Sequence, residues 1–335
     1  MHPARRTCPC APRAALCTPI TAPAAPRAPR PAAAVLGALL SLGACAPAPK
    51  GAADADGQPT DSGGGVDSGG AALGAPEAPA GRLKIEELFY SGSPGPEGEH
   101  LHTFSDQFTD LRNDSDAPVL LDGLCIGDAL GPAGEINPGT LPSTLADRYP
   151  DAAVLGNVWC LPAADAGRTL EPGQTLLIVQ DGLNHQPLSP FDHSGADYET
   201  HNQRSDEGDE DSPTVTNLDR VLFTGGYDWL ITVFGPSVVI FVQPADEPLT
   251  TARIAGADAA LVPLAWVVDA VNAVMDADSL DYRRLPPTLD AGAGWVSGTY
   301  TGESLRRRAD AEGKLQDTDD SGADLVVEVA PQPGR

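Results

Sequence analysis

From Leu83 to Asp128 apolar and polar side chains alternate, through L-K-I-E-E-L-F-Y-S-G, H-T-F-S-D-Q-F-T-D-L-R-N-D-S-D and A-P-V-L-L-D-G-L-C-I-G-D. A period of two sends successive side chains to opposite faces, which restricts this stretch to β-strands with one buried face. Asn113-Asp-Ser-Asp116 and Asp122-Gly123 supply turns between the strands. The pattern predicts the opening of a β-sandwich.

The same reasoning places strands at Leu83 to Tyr90, Phe104 to Arg112, Val119 to Ile126, Val154 to Leu161, Thr175 to Val179, Val221 to Thr224, Trp229 to Phe234, Val238 to Gln243, Ala265 to Asn272 and Gly294 to Gly298. Turns are expected at Pro94-Gly95, Asn137-Pro138-Gly139, Pro172-Gly173, Gly225-Gly226 and Gly235-Pro236. Leu264, Val267, Val271 and Val274 also fit helical spacing, but the β-branched content of that segment favours a strand. Helix is expected only at Ser143 to Tyr149, with a turn near Ser304. The strongest hairpin signal is W-L-I-T-V-F, Gly-Pro-Ser, V-V-I-F-V-Q over Trp229 to Gln243, apolar on both faces and therefore expected in the middle of a sheet. At 335 residues with polar, Gly/Pro-rich ends, the chain reads as one β domain over residues 82–330 with a tail at 331–335.

The run Ala32 to Leu42, A-A-A-V-L-G-A-L-L-S-L, follows Arg27 and Arg30 and leads into Gly43-Ala44-Cys45. At about eleven residues it is shorter than the ~20 that a permanent spanning helix needs, which favours a cleaved secretory signal. Small residues before Cys45 expose the backbone to a peptidase, and the thiol is the acceptor for a diacylglycerol. Residues 1–45 are accordingly read as a lipoprotein signal lipidated at Cys45, the alternative being a plain signal peptide. Cys8, Cys10 and Cys17 lie in Pro/Arg-rich sequence where no His or further Cys pair completes a metal site. An over-extended start, with Leu16 as initiator, accounts for the long leader.

Residues 46–81 are Gly, Ala, Asp, Pro and Ser with almost no large apolar side chain, so they cannot offset their ordering entropy and are expected to form a disordered tether. By random-coil scaling about 35 such residues reach a root-mean-square distance of ~30 to 35 Å. Five of the 21 basic residues and none of the 47 acids lie in residues 1–45, which leaves 16 basic against 47 acidic residues beyond it. Nucleic-acid affinity depends on Lys and Arg releasing counterions, so this balance excludes a DNA or RNA partner. It favours cations or basic partners instead.

The order of these pieces resembles the lamin-tail domain, an immunoglobulin-like β-sandwich. The segments that carry the resemblance are Thr109-Asp-Leu-Arg-Asn-Asp-Ser-Asp-Ala-Pro118, Leu121-Asp-Gly-Leu124, Leu170-Glu-Pro-Gly-Gln-Thr-Leu-Leu-Ile178 and Val267-Val-Asp-Ala-Val271. Asp110-Leu111-Arg112 departs from that domain's Glu-Leu-Tyr, and the insertions between strands are longer. Residues 83–325 are similar to uncharacterised bacterial lipoproteins with a lamin-tail-like core. There the motifs are Ser189-Pro-Phe-Asp-His-Ser-Gly-Ala-Asp-Tyr-Glu199, Leu289-Asp-Ala-Gly, Leu305-Arg-Arg-Arg and Leu315-Gln-Asp-Thr-Asp-Asp-Ser321. The resemblance implies an all-β, immunoglobulin-like sandwich with long loop insertions on an envelope lipoprotein, and no catalytic residues.

Cys125 and Cys160 fall in neighbouring expected strands of an exported domain, which predicts a disulfide, with two buried thiols as the alternative. The long polar stretch Asn184 to Ser212 holds His185, Asp192, His193, Asp197, Glu199 and His201, and His with carboxylates can ligate a divalent metal. Its spacing matches no metal motif, and a solvated loop explains it as well. His100 and His102 share one face of a strand but follow a Gly/Glu-rich loop. Asp317, Asp319, Ser321 and Glu328 nearly fit the EF-hand spacing, with Gly322 at the sixth position. Asp324 at the eighth position and Pro331 and Pro333 behind it favour an acidic loop before a last strand.

No nucleophile stands in a hydrolase register, and no Gly-rich phosphate loop opens a helix. The sequence therefore predicts a non-catalytic binding or structural module, held at the outer membrane by its lipid and facing the cell surface or the periplasm. Its partners would be the membrane and an envelope protein, with the chain itself a monomer. No cofactor is expected beyond a divalent cation at one of the two places above. The second reading is an accessory to nutrient or metal uptake that uses the His/acidic loop.

Overall fold

A computed structural model of the chain describes residues 76–95, 105–134, 143–186, 188–203, 209–225, 228–229 and 231–335. The leader with Cys45, residues 46–75 of the tether, Phe104 and the His100/His102 pair lie outside the described residues. Among the described residues the strands of the first half are β1 (Leu83–Phe89), β2 (Phe108–Asn113), β3 (Val119–Leu120), β4 (Leu124–Ala129), β5 (Ala152–Cys160), β6 (Thr169–Leu170), β7 (Thr175–Val179) and β8 (Tyr198–Glu199). Those of the second half are β9 (Thr216–Asn217), β10 (Asp219–Leu222), β11 (Ser237–Val242), β12 (Thr250–Ile254), β13 (Ala257–Pro263), β14 (Val267–Asn272), β15 (Ser304–Arg307) and β16 (Leu325–Glu328). Helix is limited to α1 (Ser143–Arg148), α2 (Ser321–Asp324) and three short 3-10 turns.

Two large sheets and a two-stranded one, β3-β6, form among the described residues, and the all-β sandwich expected from the alternating pattern is what results. The first runs β16-β15-β1-β2-β7-β8-β9, antiparallel until β7 pairs in parallel with β8 and β8 with β9. The second runs β12-β13-β5-β4-β11-β14, with β10 on the free part of β5. Between them lie Leu83, Ile85, Leu111, Leu176 and Ile178 from the first sheet and Leu124, Ile126, Trp159, Val238, Ile240 and Val271 from the second. Fully burying each such side chain is worth about 1.5–3 kcal/mol before entropy is counted. The outer faces are covered too. Val239 and Phe241 of β11 pack with Leu155, Val262 and Leu285, while Phe89, Phe108, Leu177 and Val179 of the first sheet pack under Phe191.

The expected bond between Cys125 and Cys160 is present. The two residues are directly opposite in the β4–β5 ladder, their Cα atoms 3.9 Å apart. The α1 helix and the strand character of Val267 to Asn272 also agree with the sequence pattern, and β16 follows the acidic turn as the last strand.

Four expectations are corrected. Among the described residues, Trp229 and Ile231 to Phe234 lie in no strand, so the first arm of the expected Trp229 to Gln243 hairpin does not form. Trp229 Nε1 donates to Asp128 Oδ1 at 2.7 Å, Gln107 Nε2 to Ile231 O at 2.8 Å, and Arg284 Nη2 to Gly235 O at 2.8 Å. Polar groups satisfied by side chains in this way have no need of a ladder. At Gly235, with φ 104°, a Cβ would stand 2.4 Å from the Val274 backbone, so the turn packs against the chain beyond β14. The second arm, β11, does lie inside its sheet, between β4 and β14. Val119 to Ile126 divides into β3 and β4 at the turn before Leu124, where Gly123 has φ 72°. Gly294 to Gly298 contributes an isolated bridge from Gly294 to Ala273, and Ser304 opens β15 instead of a turn. Glu77 bridges Val119, and Gly334 N donates to Asp110 Oδ2 at 2.9 Å.

One buried ion pair joins the sheets. Arg307 of β15, 3 % exposed, directs Nη2 at both carboxylate oxygens of Asp269 on β14, at 2.8 and 2.7 Å. Asp269 Oδ2 also accepts from Ile85 N of β1 at 2.7 Å. The other guanidinium donors reach Ile85 O, Gln316 O and Asp317 Oδ1, each at 3.1 Å. Removing one partner of a buried pair leaves the other charge uncompensated. Arg307→Met is therefore expected to cost about 3–5 kcal/mol in urea unfolding, and Arg307→Lys to recover little, because an ammonium cannot make the planar fork. A loss below about 1 kcal/mol, the level of an exposed pair, would contradict this role.

Candidate functional site

The residues singled out for metal binding do not converge. The stretch after β7 folds back over the first sheet, and His193, fully buried, packs against Phe108 and Phe191 with ring centroids 5.9 and 5.6 Å away. Burial pushes its imidazole down to about 3, so it is neutral at physiological pH. His185 lies edge-on to His193 at 5.3 Å and meets Asp181 O through Nε2 at 3.2 Å. Asp192 is exposed and accepts from Ser194 N and Oγ, while His201 Nδ1 stands 3.6 Å from Asp211. This histidine segment serves as a lid on the Phe89/Phe108 cluster.

The Asp317 to Glu328 turn is closed by the protein's own donors. Asp317 pairs with Arg307, Ser321 Oγ donates to Asp290 Oδ2, and Asp324 accepts from Thr318 N and Oγ1 at 2.7 and 2.8 Å. Asp320 caps α2 through Gly322 N and Ala323 N. Asp319 is exposed in the left-handed region at φ 55°, and Glu328 Oε1 accepts from Ala330 N. Where an EF-hand continues into a helix, β16 begins at Leu325.

A different set of ligand-type groups comes together at the end of β7. Asp181 follows Gln180 directly beyond that strand, Asp209 lies in the acidic run after β8, and Asp228 precedes Trp229. Their carboxylates each place an oxygen within 4.8 Å of the other two, and the residues are 7 %, 7 % and 9 % exposed. Two extra hydrogen bonds, Gln180 N to Gln107 O and Asp181 N to Ser105 O, hold the strand end in place. Trp229 anchors Asp228 through its indole in the inter-sheet core. Glu199 of β8 takes Gly182 N at 2.6 Å and Ser212 N at 2.8 Å, and so ties the loop that carries Asp209 to the strand end that carries Asp181. Gly182 permits that approach, since a Cβ there would stand 2.5 Å from Val215 and 2.9 Å from Glu199 Oε2.

Few donors reach the three carboxylates. Asn202 N donates to Asp209 Oδ2 and Gln180 Nε2 to Asp228 Oδ2, both at 2.6 Å. Asp209 Oδ1 and Asp228 Oδ1 are buried without a hydrogen-bond partner, and so is Oε1 of Gln180. Among the described residues no Lys or Arg forms an ion pair with any of the three. Burial, followed by repulsion from Asp228, pushes Asp181 up to about 8. Burial and then Asp209 push Asp228 up to about 7, and burial raises Asp209 as well. Nothing in the spacing of these residues announces them, because three separate segments supply one carboxylate each.

A carboxyl whose pKa is raised by folding stabilises the fold while protonated and loses that contribution as pH rises through the folded value. Without added cations, stability is thus expected to fall as pH rises from the ordinary carboxylate value of about 4 through the folded values of about 7 to 8, and to level off above them. Asp228→Asn should become steadily more stable relative to wild type over that interval, read from urea unfolding at each pH. A difference between the two proteins that does not change with pH would contradict the repulsion inferred here.

Comparison with known proteins adds family context. No curated protein matches the chain. Its fold is similar to the crystal structure of a DUF4876 family protein from Bacteroides thetaiotaomicron, with a TM-score of 0.64 and 26 % identity over 76 % of this chain and 72 % of that one. Residues 171–332, which contain β7 to β16 and all three clustered aspartates, match the family described as a protein of unknown function, DUF4876.

Proposed function

We propose that the chain is a non-catalytic binding or structural module of the cell envelope, anchored to the outer membrane by lipid at Cys45. The observation that carries this reading is the cross-strand disulfide Cys125–Cys160 inside the domain, since such bonds persist in oxidising compartments. The apolar run Ala32 to Leu42 with Cys45 behind it agrees with export. Acyl chains contribute ~0.8 kcal/mol per buried methylene, so several chains on one sulfur would hold the domain essentially permanently. With Ala46 after Cys45, sorting favours the outer membrane. The lamin-tail likeness belongs to the same proposal.

Among the described histidines, His185 faces a backbone carbonyl, His193 an aromatic cluster and His201 faces Asp211. The reading that His185, His193 and His201 capture a metal for uptake is not favoured, because His193 is sealed in apolar packing.

The anchor is tested by detergent phase separation of the full chain expressed in a bacterium that processes lipoproteins. Wild type is expected in the detergent phase and Cys45→Ala in the aqueous phase. Equal partitioning of the two would remove the anchor from the account.

A further inference from the structure

We propose that Asp181, Asp209 and Asp228 bind one hard divalent cation, calcium by size, which fastens the long insertion after β7 to the end of that strand. This goes beyond the reading of the chain as an anchored module and does not depend on the lipid.

Geometry comes first. Calcium takes six to eight oxygens at roughly 2.4 Å, so two ligands on opposite sides of it lie about 4.8 Å apart. Three carboxylate oxygens that are mutually within 4.8 Å fall inside the span of one such ion's ligand shell. Magnesium, at about 2.1 Å, would require a tighter set and keeps most of its water. The donor set is oxygen alone, which disfavours zinc and copper, whose sites draw on His and Cys. Of the described histidines, His201 is turned to Asp211 and His185 to the Asp181 carbonyl.

A second observation is independent of the carboxylates' proximity. Gln180, 4 % exposed, lies against the cluster through its bond to Asp228, yet its Oε1 has no donor. A buried acceptor without a partner costs about 1–3 kcal/mol and calls for one. The two ends of a carboxamide exchange by a half-turn, so Gln180 can offer that oxygen to an ion. Asp209 Oδ1 and Asp228 Oδ1 are likewise sealed from solvent and without a donor. Each of these three side chains, more than nine-tenths buried, thus makes a hydrogen bond yet keeps one oxygen without a donor among the described residues. A divalent cation satisfies all of them at once, and its charge offsets the repulsion among the acids.

The consequence is mechanical. Asp181 belongs to the strand end, Asp209 to the loop beyond β8, and Asp228 to the segment that leads into Trp229 and the inter-sheet core. One ion would cross-link three parts of the chain well separated in sequence, as a disulfide links two.

The test uses the full chain, stripped with chelator and returned to chelator-free buffer at neutral pH. Thermal unfolding and titration calorimetry are then run with calcium chloride alone, with magnesium chloride as the comparison. Binding at a stoichiometry of one is expected, with a midpoint raised by about 5 °C or more at millimolar calcium. Asp209→Asn/Asp228→Asn should fold, be at least as stable as the ion-free wild type, and respond by less than about 1 °C. If the double variant does not fold, Asp228→Asn alone must weaken calcium binding at least about tenfold. The proposal is overturned by a wild type that neither shifts nor releases heat, which would mean that the cluster is neutralised by protons. It is equally overturned by a calcium response that the variants retain, which would place the ion elsewhere on the acidic surface.

Discussion

The interior of this sandwich contains more carboxylates than a β domain can hold in ionised form without compensation, and the way each is neutralised decides how the rest is arranged. Asp269 sets the pattern. It lies between the sheets, takes the full fork of Arg307 and accepts from the Ile85 amide, so that a strand of the second sheet is tied to two strands of the first. A buried pair of this kind adds less to stability than to registry, since apolar residues of similar volume would do as well for stability alone. Here the register matters, because β1 carries a bulge between Ile85 and Glu87 that adds Glu86 to the strand, where it meets Arg306.

Several other interior acids are answered locally, although Asp106 and Asp110 each keep one buried oxygen without a donor. Asp290 accepts from Asn272 N, Gly292 N and Ser321. Asp128 takes Asn157 and the Trp229 indole, and Asp114 takes Lys84 and the Leu315 amide. The Asp181, Asp209 and Asp228 corner differs in gathering three acids at one point, where Asn202 N, Gln180, Ser105 and Trp229 N supply donors and acceptors are still left over.

Much of the fold could be read from local pattern, and the failures share a cause. Thr175 to Val179, the α1 helix and the β4–β5 pair linked by Cys125 and Cys160 follow from alternation, propensity and cysteine placement. The β12–β13 hairpin escaped notice because its turn is Ala255-Gly256, both at positive φ, without the Asn or Asp that usually marks one, and β13 is rich in alanine. Trp229 to Phe234 misled for the opposite reason. Its apolar run is genuine core, but side chains far away in sequence, Gln107 at the Ile231 carbonyl and Arg284 at the Gly235 carbonyl just beyond the run, take the place of ladder partners. The same distance hid the candidate site. The histidines stood out as ligand types, whereas their burial under Phe191 depends on Phe89 and Phe108 some eighty to a hundred residues earlier. Asp181 and Asp228 look like ordinary turn acids until the strand end brings them together.

The central claim is that the Asp181, Asp209 and Asp228 corner is left open for a cation, whereas the Asp317 to Glu328 turn is closed by the protein's own donors. Anomalous diffraction from crystals of the protein soaked in manganese chloride tests both halves, because manganese takes the same oxygen ligands and scatters strongly. The account predicts a single peak within bonding distance of Asp181, Asp209 and Asp228, and none beside Asp317 or Asp319. An empty corner, or a peak at the Asp317 to Glu328 turn, would contradict it.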